Sequence, residues 1–338
     1  MERLQALGAD VEILPISPSL TGIRQGAVRG WSLFRPGRAV NAIRYVMRLR
    51  NRLRKGRVAI LHANSLRACV LGGLAGRLAG VPVVWQIHSV VSEPMMSAAA
   101  VRLMCWLARW LPDRIVCNSK ATAASFSGLG DRVRIVACGA DTSRYTGNGR
   151  RPGASRVGMI ARFSPLKGQR VFVEAANQIT ADRPETEFIL AGAPLFGEDQ
   201  YADQVRQDCL TSPNPERFQL LGFVDDVPSL LHDLDVVVQP SIYPEGFGQS
   251  VLEAMMAGKP VVASATGGLS ELVEDRVTGR LVPPNDAAAL HGAIDDLLAD
   301  PAAAAAMGNR ARQRACELYD IKVTVRSLEG VYAEVARA

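Results

Sequence analysis

Two carboxylates and two cations carry the chemistry legible in this sequence. Glu245 and Glu253 lie in PSIYPEGFGQSVLEAMMAGKPVVAS (240–264), and Arg162 and Lys167 in GMIARFSPLKGQRVFVEA (158–175). In the first stretch Gly246 and Gly248 keep the backbone bare. Gln249 to Ala257 then reads as a helix, whose unpaired N–H groups at its start suit an anion. Glu253 follows Glu245 by eight positions, so both carboxylates can border one pocket. A carboxylate that accepts two hydroxyl hydrogen bonds suits a sugar ring; a plain N-terminal charge followed by a solvated helix Glu is the alternative. In the second stretch a strand ends at Ala161, Arg162 follows at once, and Lys167-Gly168 opens the next helix. Two cations at the carboxyl end of a strand, beside a helix start, suit a diphosphate. Such charge-assisted bonds are worth about 1.5–3 kcal/mol each. Elsewhere in a chain the same Arg and Lys would read as a solvated loop.

The elements that must position these groups alternate along the whole chain. Strand-like runs VEILPI (11–16), VAILHA (58–63), VPVVWQIH (81–88), DRIVCN (113–118) and RVRIVA (132–137) are separated by helical patterns at 38–54, 65–79, 95–111 and 119–127. The alternation resumes with SRVGMIA (155–161), TEFILAG (186–192), RFQLLG (217–222), DVVVQP (235–240) and KPVVASA (259–265). Near-continuous apolar strands between helices predict α/β architecture: parallel sheets covered on both faces. A length of 338 residues is too great for one ordinary core. The spacing therefore predicts two doubly wound, Rossmann-like domains in tandem, with a ligand cleft at the carboxyl ends of their strands. The Gly/Pro/Arg stretch GNGRRPGAS (147–155) is the expected boundary, giving domains at 1–150 and 151–338, with the last helix crossing back to the first. The chain opens in a helix-like ERLQAL capped by Gly8 and goes straight to a strand. A first strand with its glycine loop, usual near the centre of such a sheet, is missing from this reading.

Charge divides the same way. Residues 1–153 hold 23 Lys+Arg against 7 Asp+Glu, and residues 154–338 hold 16 against 26. A balance of +16 against −10 implies different partners for the two halves. Six cysteines are scattered without a CxxC pair or metal-finger spacing, which argues for reduced thiols and against a disulfide scaffold or structural zinc. The opening residues lack a basic segment followed by an apolar one, and no apolar run approaches a membrane span. The expected setting is cytoplasmic.

EGFGQSVLEAMMAGKPVVAS, ARFSPLKG, GFVDDVPSLLHDLDVVVQPS and ATGGLSELVEDRVTGRLVPPND together resemble the carboxy-terminal half of the family 4 retaining glycosyltransferases, which have the GT-B fold. LHANSLRACVLGGLAGRLAGVPVVWQIH, DRIVCNSKA and RIVACGADTSRY resemble the amino-terminal half more loosely. The resemblance implies that Arg162 and Lys167 bind the diphosphate of a nucleotide-sugar donor, Glu245 its sugar hydroxyls and Glu253 the ribose. It places the backbone of Phe247 and Gly248 near the sugar and Phe223 with Val224 near the base. His88, ending VPVVWQIH, would sit beside the donor sugar at the reaction centre. It further implies transfer to a glycan or lipid-linked acceptor with retained configuration, no metal and no cofactor. Two alternatives are a non-catalytic nucleotide-sugar-binding module and a sugar-nucleotide epimerase.

Other features have plainer readings. Asp233-Leu234-Asp235 spells a metal-binding DxD, yet it falls where a helix turns into a buried strand, so a structural role is expected. His62, at an earlier strand end, is expected to be structural, and Asn118-Ser119 could line the cleft. In residues 38–57, Ala39, Ala42, Ile43, Val46, Leu49 and Leu53 recur at helical spacing, with Arg44, Arg48 and Arg52 on another face. On a domain this basic, the pattern predicts a helix that meets an anionic membrane surface from the cytoplasmic side. Nucleic acid is not expected, because no aromatic residues interleave the arginines as a stacking platform would require.

Overall fold

The computed structural model describes residues 5–17, 36–92, 96–146, 153 and 155–337; the boundary expected at 147–155 falls almost wholly outside them. The first domain runs α1 (Pro36–Lys55), β1 (Leu61–Ala63), α2 (Leu66–Ala79), β2 (Val83–Ile87), α3 (Ala98–Ala108), β3 (Arg114–Cys117), α4 (Lys120–Ala124) and β4 (Val133–Ile135). Its strands are parallel, in the order β1-β2-β3-β4. A serine starts each helix that follows a strand. Ser65, Ser97 and Ser119 accept the amide hydrogens of Ala68, Ala100 and Thr122, satisfying one N–H each that the first turn leaves unpaired.

The second domain contains β5 (Arg156–Ile160), α5 (Gln169–Asp182), β6 (Glu187–Ala191), α6 (Asp199–Leu210), β7 (Phe218–Gly222), α7 (Val227–His232) and β8 (Val236–Gln239). It continues with α8 (Gln249–Met256), β9 (Val261–Ser264), α9 (Leu269–Leu272), β10 (Arg280–Val282), α10 (Ala287–Ala299) and α11 (Pro301–Tyr319). Six parallel strands stand in the order β10-β9-β8-β5-β6-β7. The chain thus builds outward from β5 in one direction, returns, and builds outward in the other, the doubly wound order. Alternate residues of one strand feed two cores: Val236 and Val238 pack on one face of the sheet and Val237 on the other. Both faces are buried, which is why the strands read as apolar throughout.

The last helix, α12 (Ile321–Ala336), belongs by packing to the first domain. Val331 and Val335 press on Val84, Val116 and Val136, the Tyr332 hydroxyl lies 2.5 Å from His62 Nδ1, and Glu334 pairs with Arg114 and Arg134 at 3.1 and 2.8 Å. His62 is accordingly a packing residue.

VEILPI, expected as a strand, has no regular secondary structure. Pro15 removes a ladder donor, and α1 captures the segment instead. Arg48 Nη2 donates to the Pro15 carbonyl at 2.9 Å, and Arg52 pairs with Glu12 at 2.6 Å. Among the described residues, β1 is therefore the edge of its sheet.

Candidate active site

Because the strand order reverses beside β5, the carboxyl ends of β5 and β8 open a crevice. The loop leaving β5 carries Arg162 and Lys167, and the loop leaving β8 carries Glu245. Gly168 brings the two loops together. It has φ +80°, and a Cβ there would stand 2.0 Å from the Pro240 carbonyl oxygen. Buried Gln169 holds the first loop from within, its Nε2 donating to the Arg162 carbonyl at 2.8 Å. Lys167 Nζ then reaches Glu245 Oε1 at 2.6 Å, and the Ser241 hydroxyl donates to the same oxygen at 2.6 Å. Arg162 pairs with Glu198, which also accepts from the Ser164 hydroxyl at 2.7 Å; its guanidinium lies 5.7 Å from the Phe196 ring centroid. Each cation retains N–H donors beyond its carboxylate partner, since a guanidinium has five and an ammonium three.

The first domain closes over this crevice. Gly246 lies against the His88 carbonyl so tightly that a Cβ would come within 1.9 Å of its oxygen. Thr122 Oγ1 lies 2.9 Å from Asn118 Oδ1 and 3.3 Å from the Gly246 carbonyl oxygen, and Asn118 Nδ2 donates to the His88 carbonyl at 3.1 Å. Glu271 on α9 accepts the amides of Lys120 and Ala121 at 2.8 and 2.7 Å, so a carboxylate of one domain caps a helix of the other. The cleft between the domains has a volume of about 470 Å³ and is lined by Arg162, Lys167, Glu245 and Gly248 from one side and by His88, Asn118 and Cys138 from the other.

His88 Nε2 is hydrogen-bonded to Asn64 Oδ1, and Nδ1 faces Cys138 Sγ at 3.9 Å. The ring opens to solvent through the cavity yet has protein on both sides. That partial burial, followed by the repulsion of nearby His62, lowers its pKa from the ordinary value of 6.5 and favours the neutral imidazole.

Comparison with known proteins decides the family. Residues 147–314 match the family described as Glycosyl transferases group 1, and residues 1–144 match Glycosyltransferase Family 4. The D-inositol 3-phosphate glycosyltransferase of Salinispora arenicola is 30% identical over 316 residues, spanning 84% of this chain and 70% of that one. The chain belongs to the family 4 glycosyltransferases. The alpha-D-kanosaminyltransferase of Streptomyces kanamyceticus is 28% identical over 99% of this glycosyltransferase and 90% of its own length. The crystal structure of Anabaena HepE in complex with UDP-glucose superposes with a TM-score of 0.79 at 28% identity, covering 86% of this chain and 82% of that one. The GT-B fold implied by the resemblance is thus shown, with the two parallel-sheet domains that the alternation predicted.

Within this glycosyltransferase not every expected site residue meets the cavity. Arg162, Lys167, Glu245, His88 and the backbone of Phe247 and Gly248 line it; the Phe247 ring turns away, buried edge-on to Tyr319 at 5.6 Å. Glu253 is not among the lining residues. It stands one turn beneath Gln249, whose Nε2 lies 3.5 Å from it. Burial raises the Glu253 pKa, opposed by hydrogen bonds from Gln249 and Tyr145. The expectation that both glutamates border one pocket therefore holds for Glu245 alone, because eight residues carry Glu253 a turn into α8. Phe223, 74% exposed, and Val224 follow β7 at the sheet edge and are not among the residues that line this cavity.

Asp233 ends α7, and the Asp235 carboxylate accepts the Arg156 amide at 2.9 Å. That bond lies at the amino ends of β5 and β8, opposite the crevice. Sequence reasoning missed Glu198, Gln169, Thr122 and Glu271, which act by positioning other groups. The only signal was their place in loops leaving strands or at helix starts.

Proposed function

We propose that this glycosyltransferase moves a sugar from a nucleotide-sugar donor to a glycan or lipid-linked acceptor, with retention of configuration and without a metal ion. The observation that carries this reading is the pair of cations, Arg162 and Lys167, at the strand-order reversal beside the start of α5. Their remaining N–H groups stabilise charge developing on a leaving diphosphate, a largely electrostatic form of catalysis. Glu245 receives sugar hydroxyls, while Glu253 and the Phe223–Val224 turn are assigned to ribose and base. Among the described residues lining the cavity Glu245 is the one carboxylate, and Lys167 and Ser241 both hold its Oε1. Such a carboxylate is a poor nucleophile, which favours attack by the acceptor from the face that the diphosphate leaves. Closure of the first domain brings His88 over the sugar and limits water. Metal independence is supported by the cations at the crevice and by the structural bond of Asp235 at the far end of the sheet.

A thermal-shift screen of UDP-, GDP- and ADP-sugars tests the donor class. Arg162→Ala and Lys167→Ala should each weaken nucleoside diphosphate binding about tenfold or more while sparing nucleoside. Equal losses for both ligands would remove the two residues from the phosphates. EDTA should leave transfer unchanged; loss on chelation with recovery on manganese would overturn the metal-free route, and an inverted product anomer the retaining one.

The proposal extends to peripheral attachment at an anionic cytoplasmic membrane surface. No helix among the described residues is long and apolar enough to cross a membrane. Helix α1, in the segment 38–57, exposes Val40, Ile43 and Met47, but Arg48 and Arg52 are engaged by the segment at 12–15. The face that supports attachment best is on α3 and the turn after it. Leu103, Trp106 and Trp110 are 50%, 57% and 64% exposed there, and Arg102 and Arg109 share their spacing. Tryptophan with arginine suits the headgroup region.

A further inference from the structure

At the end of the first sheet opposite the crevice, cations gather that the donor chemistry does not use. Arg77 lies in the last turn of α2, Arg109 and Trp110 follow α3, Asp113 and Arg114 lead into β3, and Arg132 stands before β4. Together they line an open pocket of about 540 Å³. β3 runs from Arg114 to Cys117, and Asn118 beyond it lines the crevice. The pocket and the crevice therefore stand at opposite ends of one strand, about 13 Å apart at the usual rise per residue.

Four guanidiniums share this pocket with one carboxylate, and groups without net charge hold three of them in place. Arg77 Nε donates to the Trp110 and Leu111 carbonyls at 3.0 and 2.9 Å. Arg132 Nη1 donates to the Arg109 carbonyl at 2.8 Å, and Arg114 Nη1 to the Asp113 carbonyl at 3.0 Å. A carbonyl fixes a guanidinium without cancelling its charge. The nearby carboxylates are already divided. Asp113 accepts the Val83 amide at 2.7 Å as well as pairing with Arg77 at 3.1 Å, and Glu334 serves both Arg114 and Arg134. Among the described residues Arg109 has no carboxylate partner. Capping the carbonyls that end α3 explains Arg77 and Arg132, but it explains neither Arg109 nor the surplus of positive charge in one concave place.

A concave surface of one sign focuses its field on an opposite charge. Each guanidinium has five donors, so all four keep some to spare, in the fork geometry that matches phosphate oxygens. Donors already fixed by the backbone lose little freedom on binding. A carboxylate ligand brings one charge and two oxygens, whereas a terminal phosphate brings nearly two charges and three oxygens. Only the latter meets cations arriving from α2, α3 and the starts of β3 and β4.

We propose that this pocket is a second anion site, separate from the donor crevice, and that it binds a terminal phosphate group: a phosphomonoester or a diphosphate. Arg77, Arg114 and Arg132 form its fixed floor, and Arg109 completes it from the end of α3. Trp110, 64% exposed, offers its ring to the organic part of the ligand. The phosphate comes either from a soluble compound or from a lipid headgroup, since Arg109 and Trp110 also belong to the face assigned to the membrane. The site does not depend on the donor reading, and it goes beyond general attraction to an anionic surface by requiring one kind of phosphate.

Calorimetry with inorganic phosphate and pyrophosphate tests it, in a protein carrying Arg162→Ala and Lys167→Ala so that anions held in the crevice do not mask the pocket. Both should bind at one site, pyrophosphate more tightly. Adding Arg109→Gln should weaken pyrophosphate about tenfold, the loss of one charge-assisted bond, and Arg109→Glu should abolish binding. Melting profiles should not move, because the Arg109 side chain holds no other part of the fold. Absence of binding at millimolar concentration, or binding indifferent to both substitutions, would overturn the proposal. In the otherwise unaltered chain, pyrophosphate displaced by phosphatidic acid vesicles marks a lipid source, and pyrophosphate that such vesicles leave in place marks a soluble one. Vesicles of phosphatidic acid and phosphatidylglycerol, matched for surface charge and bound equally with no response to pyrophosphate or Arg109→Gln, would sink this site and leave the attachment reading standing. Loss of nucleoside diphosphate binding by the crevice with the pocket still occupied would sink the donor reading alone.

Discussion

In the second domain the strand order turns back at β5, and the crevice that results is lined with full charges. In the first, the described strands run in chain order from β1 to β4, and the cavity beyond their ends is walled with carbon. The domain charges run the other way. The acidic domain, at −10, owns both cations of the crevice, whereas the basic domain, at +16, offers Arg67 alone to its cavity. Several of its other arginines are engaged at the surface: Arg50 and Arg54 donate to the Leu78 carbonyl at the end of α2, and Arg114 and Arg134 hold α12 through Glu334. A domain's net charge therefore does not report the charge of its site. What sets that charge is which few residues leave a strand at its carboxyl end, where backbone direction and helix starts converge.

The sharpest way to break this contrast is to neutralise the charged cavity. Glu245→Gln removes the anion that Lys167 and Ser241 hold and that would receive sugar hydroxyls. Transfer should fall about a hundredfold, the loss of one or two charged hydrogen bonds, with the melting profile still cooperative. Near-native turnover would detach Glu245 from the reaction.

The next test separates the two domains rather than altering either. In Gly246→Ala the added carbon meets the His88 carbonyl oxygen at 1.9 Å, and backbone cannot yield cheaply. The domains should part, cutting transfer at least tenfold, while nucleoside diphosphate affinity, a property of the second domain, stays within about threefold. Small-angle scattering should show the expansion. Unchanged transfer would mean that closure against His88 is dispensable.

A smaller effect is expected on the outer face of the first domain. Trp106→Ser combined with Trp110→Ser should reduce sedimentation with anionic vesicles several-fold, more than Arg44→Gln does. Binding should weaken as salt rises, because surface attraction decays over a Debye length of about 10 Å at 0.1 M. Vesicle binding indifferent to both lipid charge and these residues would return α3 to an ordinary surface helix.

The smallest concerns protons. The lowered pKa of His88 means that folding favours its neutral form. Its contribution to stability is fully present above about pH 6.5 and is lost as pH falls through that value toward the folded pKa. Transfer should be level from about pH 8 to 6.5 and decline only below, and His88→Asn should flatten that acid limb. A limb beginning above pH 7 would contradict the assignment.

Much of the second domain was legible beforehand. Val236 to Val238 read as a strand buried on both sides because parallel strands under helices show their apolar character on every residue, and β8 is one. Arg162, Lys167 and Glu245 were legible as a group because they sit next to strand ends and glycines, features written locally in the chain. The same local reading failed at VEILPI, where β propensity lost to one proline and two arginines on α1, partners more than thirty residues away in sequence.

At Glu253 the eight-residue spacing left the depth open: α8 begins at Gln249 and carries the carboxylate a turn beneath the residues that line the charged cavity. The order and type of most elements, the pairing of a basic with an acidic half, and the residues leaving each strand were determined by the sequence alone. They depend on propensity, periodicity and composition. The pairing of Lys167 with Glu245 and Arg162 with Glu198, the capping of α4 by Glu271, the return of α12 to the first sheet and the apolar wall beside His88 were decided only by tertiary structure. Each joins atoms from distant parts of the chain within about 3–4 Å, the range over which hydrogen bonds and van der Waals contacts act, and nothing in local sequence spacing encodes that distance.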